Sequence, residues 1–284
     1  MGKITGYTEI TALNSGSVLL VDGTGGTKKI SANKLAQALA EISDDVQLHR
    51  NTYGGRSLGT SVSAEQWAQI TAGTYHGMLV GDYWTIGSVK WLIADFDYWL
   101  HCGDTECTDH HLVMIPETVL YNAKMNDENV VTGAYLGSAM YTTNLATAKS
   151  SIETAFGAAH ILEHKIYLPN AVTDGVETGG AWTASKVDLM NERMVYGADV
   201  FHNCINGTRF PTNYTCEKTQ LALFRMDPTK IVAFNSSNQR ASWWLRDVAN
   251  STNFAFVSSH GVADTNGASN SHGVRPAFAI YASA

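Results

Sequence analysis

The densest set of metal-type ligands in this 284-residue sequence lies between His101 and His111. There His101-Cys102-Gly103-Asp104-Thr105-Glu106-Cys107-Thr108-Asp109-His110-His111 offers two thiols, three imidazoles and three carboxylates. Zinc takes Cys and His, and Cys102, Cys107, His110 and His111 are the candidate ligands. A structural zinc site needs a short Cys pair followed by a distant second pair, and the remaining thiols, Cys204 and Cys216, are single and far apart. Two other fates are open to Cys102 and Cys107: a local disulfide, which a cytosolic protein disfavours, or plain buried thiols. His110-His111 precedes the apolar run Leu112-Val113-Met114-Ile115-Pro116 and can simply open a strand. Asp95, Asp97, Asp104 and Asp109 supply oxygens for calcium, but Asp-x-Asp alone does not make a loop site. Neither a metal nor any other cofactor is assigned.

Hydrolytic chemistry is equally thin. Ser258, His260 and Asp264 form a Ser-His-Asp set on paper, without the Gly-x-Ser-x-Gly elbow that would present the nucleophile. Asp188 and Glu192 are one helical turn apart, a spacing that reads as a solvated helix face rather than an acid–base pair. No catalytic residue follows, and the expectation is a protein that binds rather than reacts.

A better candidate for function is the C-terminal run from Ser242 to Ile280. It opens with Trp243-Trp244-Leu245-Arg246 and closes with Gly273-Val274-Arg275-Pro276-Ala277-Phe278. Asp247 to Gly273 is a 27-residue insert with no Lys and no Glu, and 11 of its residues are Ser, Thr or Asn. Adjacent tryptophans on a strand point to opposite faces, so one enters the core and the other packs under a loop. Trp243, Trp244, Arg246, Arg275 and Phe278 are the expected scaffold. The insert is expected to lie on the surface as loops and short strands. It carries the candidate ligand contacts Asp247, Asn250, Ser251, Asn253, Ser258, His260, Asp264, Asn266 and His272, with Asn238 just before the bracket. The alternative is a Ser/Asn-rich loop with no special role.

The two bracketing motifs resemble the C-terminus of C-type-lectin-like domains in bacterial and phage proteins. That fold is shared by variable proteins of diversity-generating retroelements and by domains related to formylglycine-generating enzymes. In the variable proteins, adenine-directed mutagenesis rewrites a surface patch, so the resemblance implies a ligand-binding and diversifiable face. It also implies an α+β, C-type-lectin-like domain. The run Asp188-Leu189-Met190-Asn191-Glu192 through Val195-Tyr196-Gly197 extends the likeness to roughly residues 75–280. The paired-cysteine copper site of the formylglycine-generating group has no counterpart, because no cysteine follows Cys216.

The elements that must carry this face are legible in part. Residues 1–45 read as a separate attachment and oligomerisation unit. Val18-Leu19-Leu20-Val21 and Lys28-Lys29-Ile30 flank an Asp22-Gly23 turn, and a helix capped by Ser31 runs to about Ile42. This unit resembles N-terminal segments of phage structural proteins. Residues 46–62, with Gly54, Gly55 and Gly59, read as a linker. The main domain, 63–284, starts with the capping box Ser63-Ala64-Glu65-Gln66 and a helix ending at Gly73. Strands are expected within 78–94, at 160–168, 221–224 and 231–234. Further helices are expected over 144–156 and from Ser185 to Gly197, and a turn-rich loop over 170–180.

Charged residues make up 16% and net charge is −7; sparse, scattered Lys and Arg exclude a nucleic-acid partner. No apolar run approaches the roughly 20 residues of a membrane span, and the N-terminus lacks an apolar signal-peptide core. Together these readings point to a phage virion protein: a homotrimeric receptor-binding, tail-fibre or capsid-decoration protein. It would hold other virion proteins through its N-terminus and bind a host-surface or mucosal glycan or protein. A bacterial lectin-like adhesin is the alternative, followed by a formylglycine-generating-type enzyme.

Overall fold

Strands β1 (Val18–Val21) and β2 (Lys28–Ser31) pair antiparallel, with Val18 opposite Ser31 and Val21 opposite Lys28. This is the hairpin expected from the Asp-Gly signal. The computed structural model describes residues 18–21, 28–31, 34–35, 46–202 and 217–282. The helix expected up to Ile42 lies largely outside them; within them, the Lys34 amide donates to Ser31 Oγ at 3.3 Å.

The linker expected over 46–62 is corrected. Helix α1 (Val46–Asn51) buries His49 completely, and Arg50 pairs with Asp95 at 2.6 Å. Strand β3 (Ser57–Gly59) then joins a sheet. Two of the glycines that suggested a linker serve close approach instead: a Cβ on Gly54 would sit 2.2 Å from Asp82 Oδ1, and one on Gly55 2.9 Å from the Tyr53 ring. Helix α2 (Ala64–Ala72) has the expected capping box, Ser63 and Gln66 satisfying each other's backbone N–H groups, and ends at Gly73 with φ 67°.

Five strands follow with one helix among them: β4 (Tyr83–Ile86), β5 (Val89–Phe96), β6 (Leu112–Pro116), β7 (Tyr121–Lys124), helix α3 (Ala146–Phe156) and β8 (His164–Thr173). A π-helical turn, Met140–Asn144, leads into α3. Strand β9 (Val176–Ser185) pairs with β8 along its whole length. The loop expected over 170–180 is therefore a long hairpin, reversed at Asp174-Gly175, both with positive φ.

The helix expected from Ser185 is also corrected. Strand β10 (Val187–Leu189) comes first, and helix α4 (Glu192–Tyr196) starts only at the Asn191 cap, ending at Gly197 as expected. Val187 to Leu189 pair with Pro276 to Phe278, and that tertiary pairing overrides local helical spacing. The strand expected at Leu221–Phe224 is helix α5 (Ala222–Met226), followed by a 3-10 turn, Pro228–Ile231. The chain ends with β11 (Ala233–Phe234), β12 (Arg240–Ala241), β13 (Trp243–Val248), β14 (Asn253–Val257), β15 (Ala263–Gly267), β16 (Ser271–Val274) and β17 (Pro276–Ile280).

The protein is α+β. Its main sheet has six strands in the order β10-β17-β6-β5-β4-β3, and a second has five in the order β15-β14-β13-β16-β7. The central strand β6 is apolar and buried throughout, as a strand covered on both faces must be. Trp91, Phe156 and Phe278 meet at 5.5–5.7 Å between ring centroids and tie α3 to this sheet. Among the described residues no helix is long and apolar enough to cross a membrane.

Candidate functional site

The insert between the tryptophans and Arg275 forms the short strands expected, β14, β15 and β16, but it does not lie wholly on the surface: these strands join β13 and β7 in the five-stranded sheet, with Phe254, Ala255, Phe256 and Val257 buried. Strand alternation sends Trp243 and Trp244 to opposite faces, and both are completely buried. On one face, Trp244 meets the rings of Phe256 and His272 edge-on, and its Nε1 donates to the Ala123 carbonyl at 2.9 Å. On the other, Trp243 Nε1 donates to the Ile231 carbonyl at 3.1 Å, and the Arg275 guanidinium lies 5.1 Å from the Trp243 ring centroid. Gly273 lets the sheet close here: a Cβ would meet Val119 Cγ1 at 2.3 Å. Truncating either tryptophan to Ala costs about 3–5 kcal/mol.

The Trp244 face ends in an aromatic–polar patch. His272 stacks flat on Phe256, 4.4 Å between centroids and 5° between planes. Its Nε2 is 3.0 Å from Asn266 Nδ2, and Asn266 Oδ1 in turn accepts from Asn270 Nδ2 at 2.8 Å. Burial pushes the His272 pKa down, opposed by the exposed carboxylate of Asp264, so the ring is neutral and its Nε2 accepts from the amide. Asp264, Asn266 and His272 are thus brought together, and Asn270 and Phe256, not expected from the sequence, belong with them. Asn270 could have been found from the same Asn-rich composition; Phe256 reads as core.

The other expected contacts lie elsewhere. At one end of β14, Asn250 Oδ1 accepts from the amides of Thr252 and Asn253, an Asx-type turn. Ser251 there packs under the tip of the β8–β9 hairpin, where a Cβ on Gly175 would reach its amide nitrogen at 2.5 Å. Asn253 Nδ2 reaches Thr265 Oγ1 at 3.4 Å. At the far end, Ser258 Oγ accepts from the amides of His260 and Val262. His260 faces Ser259, so Ser258, His260 and Asp264 form no hydrogen-bonded set. Asn238 lies on the Trp243 side, in an exposed turn with φ 58°.

Asp247 is a correction: it is 2% exposed, and both of its carboxylate oxygens are engaged inside the protein. Its Oδ2 accepts the Glu192 amide at 2.6 Å and its Oδ1 faces His202 at 3.1 Å. The solvated face expected for Asp188 and Glu192 is corrected too. Both are buried, and Glu192 accepts from the amides of Val200, Phe201 and His202. Burial raises the pKa of each. Arg246 closes this interior, donating to the Leu189 carbonyl at 3.0 Å and to the Glu217 carboxylate.

The metal-type stretch is dispersed. Cys102 is disulfide-bonded, while Cys107 is a free buried thiol whose pKa burial raises, so the local Cys102–Cys107 bridge is not formed. His110 Nδ1 pairs with Asp97 Oδ2 at 2.8 Å. His111 is wholly buried, its Nε2 accepting the Trp99 amide at 3.1 Å. Among the described residues no three His, Cys, Asp or Glu side chains converge as a metal site. Cys204 and Cys216 lie outside those residues.

A separate cavity of about 520 Å³ opens beside Arg275, lined also by Glu117, Lys230, Arg240 and Asn238. Only Asn238 and Arg275 of this group carried any expectation. Glu117, Lys230 and Arg240 are scattered through the sequence and gave no signal.

Residues 136–282, just over half of the chain, match the family described as a domain of unknown function, DUF6273. That span holds both faces of the five-stranded sheet except β7. Neither curated proteins nor solved structures give a match.

Proposed function

Starting from a chain that belongs to the DUF6273 family, we propose a binding protein of C-type-lectin-like architecture that is displayed on a bacteriophage virion and engages a host-surface or mucosal glycan or protein. The observation that carries this reading is the patch of Asp264, Asn266, Asn270 and His272. Asp264, Asn266 and His272 are held on strands β15 and β16, and Asn270 in the turn between them, over a buried aromatic base. Side chains anchored on strands hold recognition groups in place at lower entropic cost than a loop does. The flat stack of His272 on Phe256 fixes the ring, and the Asn270–Asn266–His272 chain fixes the amides.

In this reading residues 1–45 attach the protein to other virion components, and trimeric display turns weak single sites into avidity. The disulfide at Cys102 suits a protein that works outside a reducing cytosol, which favours both a released virion and the second reading, a bacterial surface adhesin. The patch acts by recognition, with no catalysis assigned. A near-copy repeat of the segment encoding 247–273 beside a reverse transcriptase gene would support diversification of this face.

The test is retention of host cells or mucin on immobilised full-length protein. Asp264→Ala with Asn266→Ala is expected to reduce retention at least tenfold while leaving the melting temperature within a degree or two, since neither side chain is core. Unchanged retention would remove this patch as the recognition face. Immunogold labelling of particles separates a virion protein from an adhesin.

A further inference from the structure

Arg275 is 0% exposed, yet among the described residues no carboxylate hydrogen-bonds to it. Its Nε donates to the Pro116 carbonyl at 3.0 Å and its Nη1 to the Lys230 carbonyl at 2.8 Å, both neutral acceptors. Among the described residues its Nη2 has no hydrogen-bond partner. Burial depresses its pKa to about 9, against the pull of Glu117. A buried guanidinium with an unmet donor is costly, and this one lines the cavity of about 520 Å³, a volume typical of small-ligand sites.

The rest of the wall narrows the ligand. Lys230, Arg240 and Arg275 set three cations against one carboxylate, Glu117, on a chain of net charge −7. Lys90 and Lys230 hold Glu117 Oε1 at 3.1 and 3.0 Å; burial alone would raise its pKa, but these bonds keep it below the usual carboxylate range. Glu117 is therefore charged and neutralised, and it remains an acceptor for hydroxyl groups. Thr118, Thr229 and Asn238 add neutral hydrogen-bonding groups, and Val232 and Phe234 add an apolar wall. The planar guanidinium fork matches a carboxylate. A phosphate dianion would meet Glu117 as a second negative charge and bring no hydroxyls to it. A ligand with one carboxylate and several hydroxyls satisfies every part of the wall.

We propose that the cavity between the Pro228–Ile231 turn and the β11–β12 ribbon binds a sugar acid, with its carboxylate on Arg275 and Arg240 and its hydroxyls on Glu117, Thr229 and Asn238. The site is on the Trp243 side of the sheet, opposite the Asp264–His272 patch, and does not rest on the reading of that patch.

The experiment is calorimetric titration of the full chain with glucuronate and with N-acetylneuraminate, against glucose, inorganic sulfate and N-acetylalanine. At least one sugar acid is expected to bind saturably and at least tenfold more tightly than any of the three controls. Arg240→Gln, an exposed change, is expected to weaken that binding tenfold or more. Asn238→Gly, which suits the positive φ while removing the amide, is expected to weaken it several-fold, and it serves as the second variant if Arg240→Gln does not fold. Asp264→Ala with Asn266→Ala leaves this affinity unchanged, so failure here and failure of the recognition patch are separable. The proposal is overturned if no sugar acid binds, if sulfate, glucose or N-acetylalanine binds as tightly, or if a folded Arg240→Gln variant keeps full affinity.

Discussion

Around Arg246 the interior is crowded with carboxylates; around Arg275 it offers carbonyls and aromatic rings. Both arginines stand in the bracketing motifs, and both are at most 3% exposed. Arg246 reaches Glu217, which also accepts from Trp99 Nε1 at 3.2 Å, and Asp188 lies close enough to feel the same charge. Among the described residues the Arg246 charge is met inside the chain, by the Glu217 carboxylate and the Leu189 carbonyl. Arg275 answers two backbone carbonyls, lies over Trp243 and keeps one nitrogen unmatched at a cavity wall. Burial alone therefore does not separate a structural arginine from a recognition arginine. The separating feature is whether the counter-charge is already in the chain.

The contrast can be broken most directly by removing the Arg246 charge. Arg246→Met leaves Glu217 buried without that cation and is expected to cost about 3–5 kcal/mol in denaturant unfolding. A loss under about 1 kcal/mol would mean the Arg246 interior is no more self-dependent than the Arg275 wall.

Acid probes the same region. His164 stacks on Trp99 at 4.2 Å, and burial, with a smaller contribution from His111, pushes its pKa down to about 3. Above pH 6.5 neither the folded nor the unfolded chain protonates this ring. Between about 6.5 and 3 only the unfolded chain takes up the proton, so stability drops as the pH is lowered through this window, by up to roughly 1.4 kcal/mol per unit. His164→Phe keeps the stack and is expected to flatten that slope; an unchanged slope from pH 6.5 to 4 would assign the acid sensitivity to other groups.

Arg275→Met should be milder, about 1–3 kcal/mol, because it strands two carbonyls rather than a buried carboxylate. Thermal and denaturant melts would check this, and a cost equal to that of Arg246→Met would erase the comparison. The smallest effect is expected at the half-buried patch. His272→Ala removes one stacked pair and should cost about 1 kcal/mol. A loss beyond about 3 kcal/mol would make His272 a core residue rather than a displayed one.

Local chemistry was legible wherever the chain carried its own partners. Ser63 and Gln66 satisfy each other across one turn, and Gly73 stops the helix, because capping needs only neighbours in sequence. The N-terminal hairpin and the helix ending at Phe156 were readable for the same reason. The segment from Ser185 misled: its apolar spacing fits a helix, but pairing with Pro276 to Phe278 extends it as β10. Residues 46–59 misled in the opposite direction, since Gly54 and Gly55, which suggest a linker, leave room for the Asp82 and Tyr53 side chains.

Composition alone pointed to Asp264, Asn266 and His272, which the structure places on one face, but could not tell them from Asp247, which is of the same polar type and is buried. By itself the sequence determined that two aromatic, arginine-bearing motifs bracket a polar segment, and that adjacent tryptophans must face opposite ways, since side-chain direction alternates along a strand. Only the tertiary structure decided which polar residues remain outside and that the two faces differ. Exposure depends on which distant strand, helix or carboxylate packs against each position, and those partners lie tens to more than a hundred residues away along the chain.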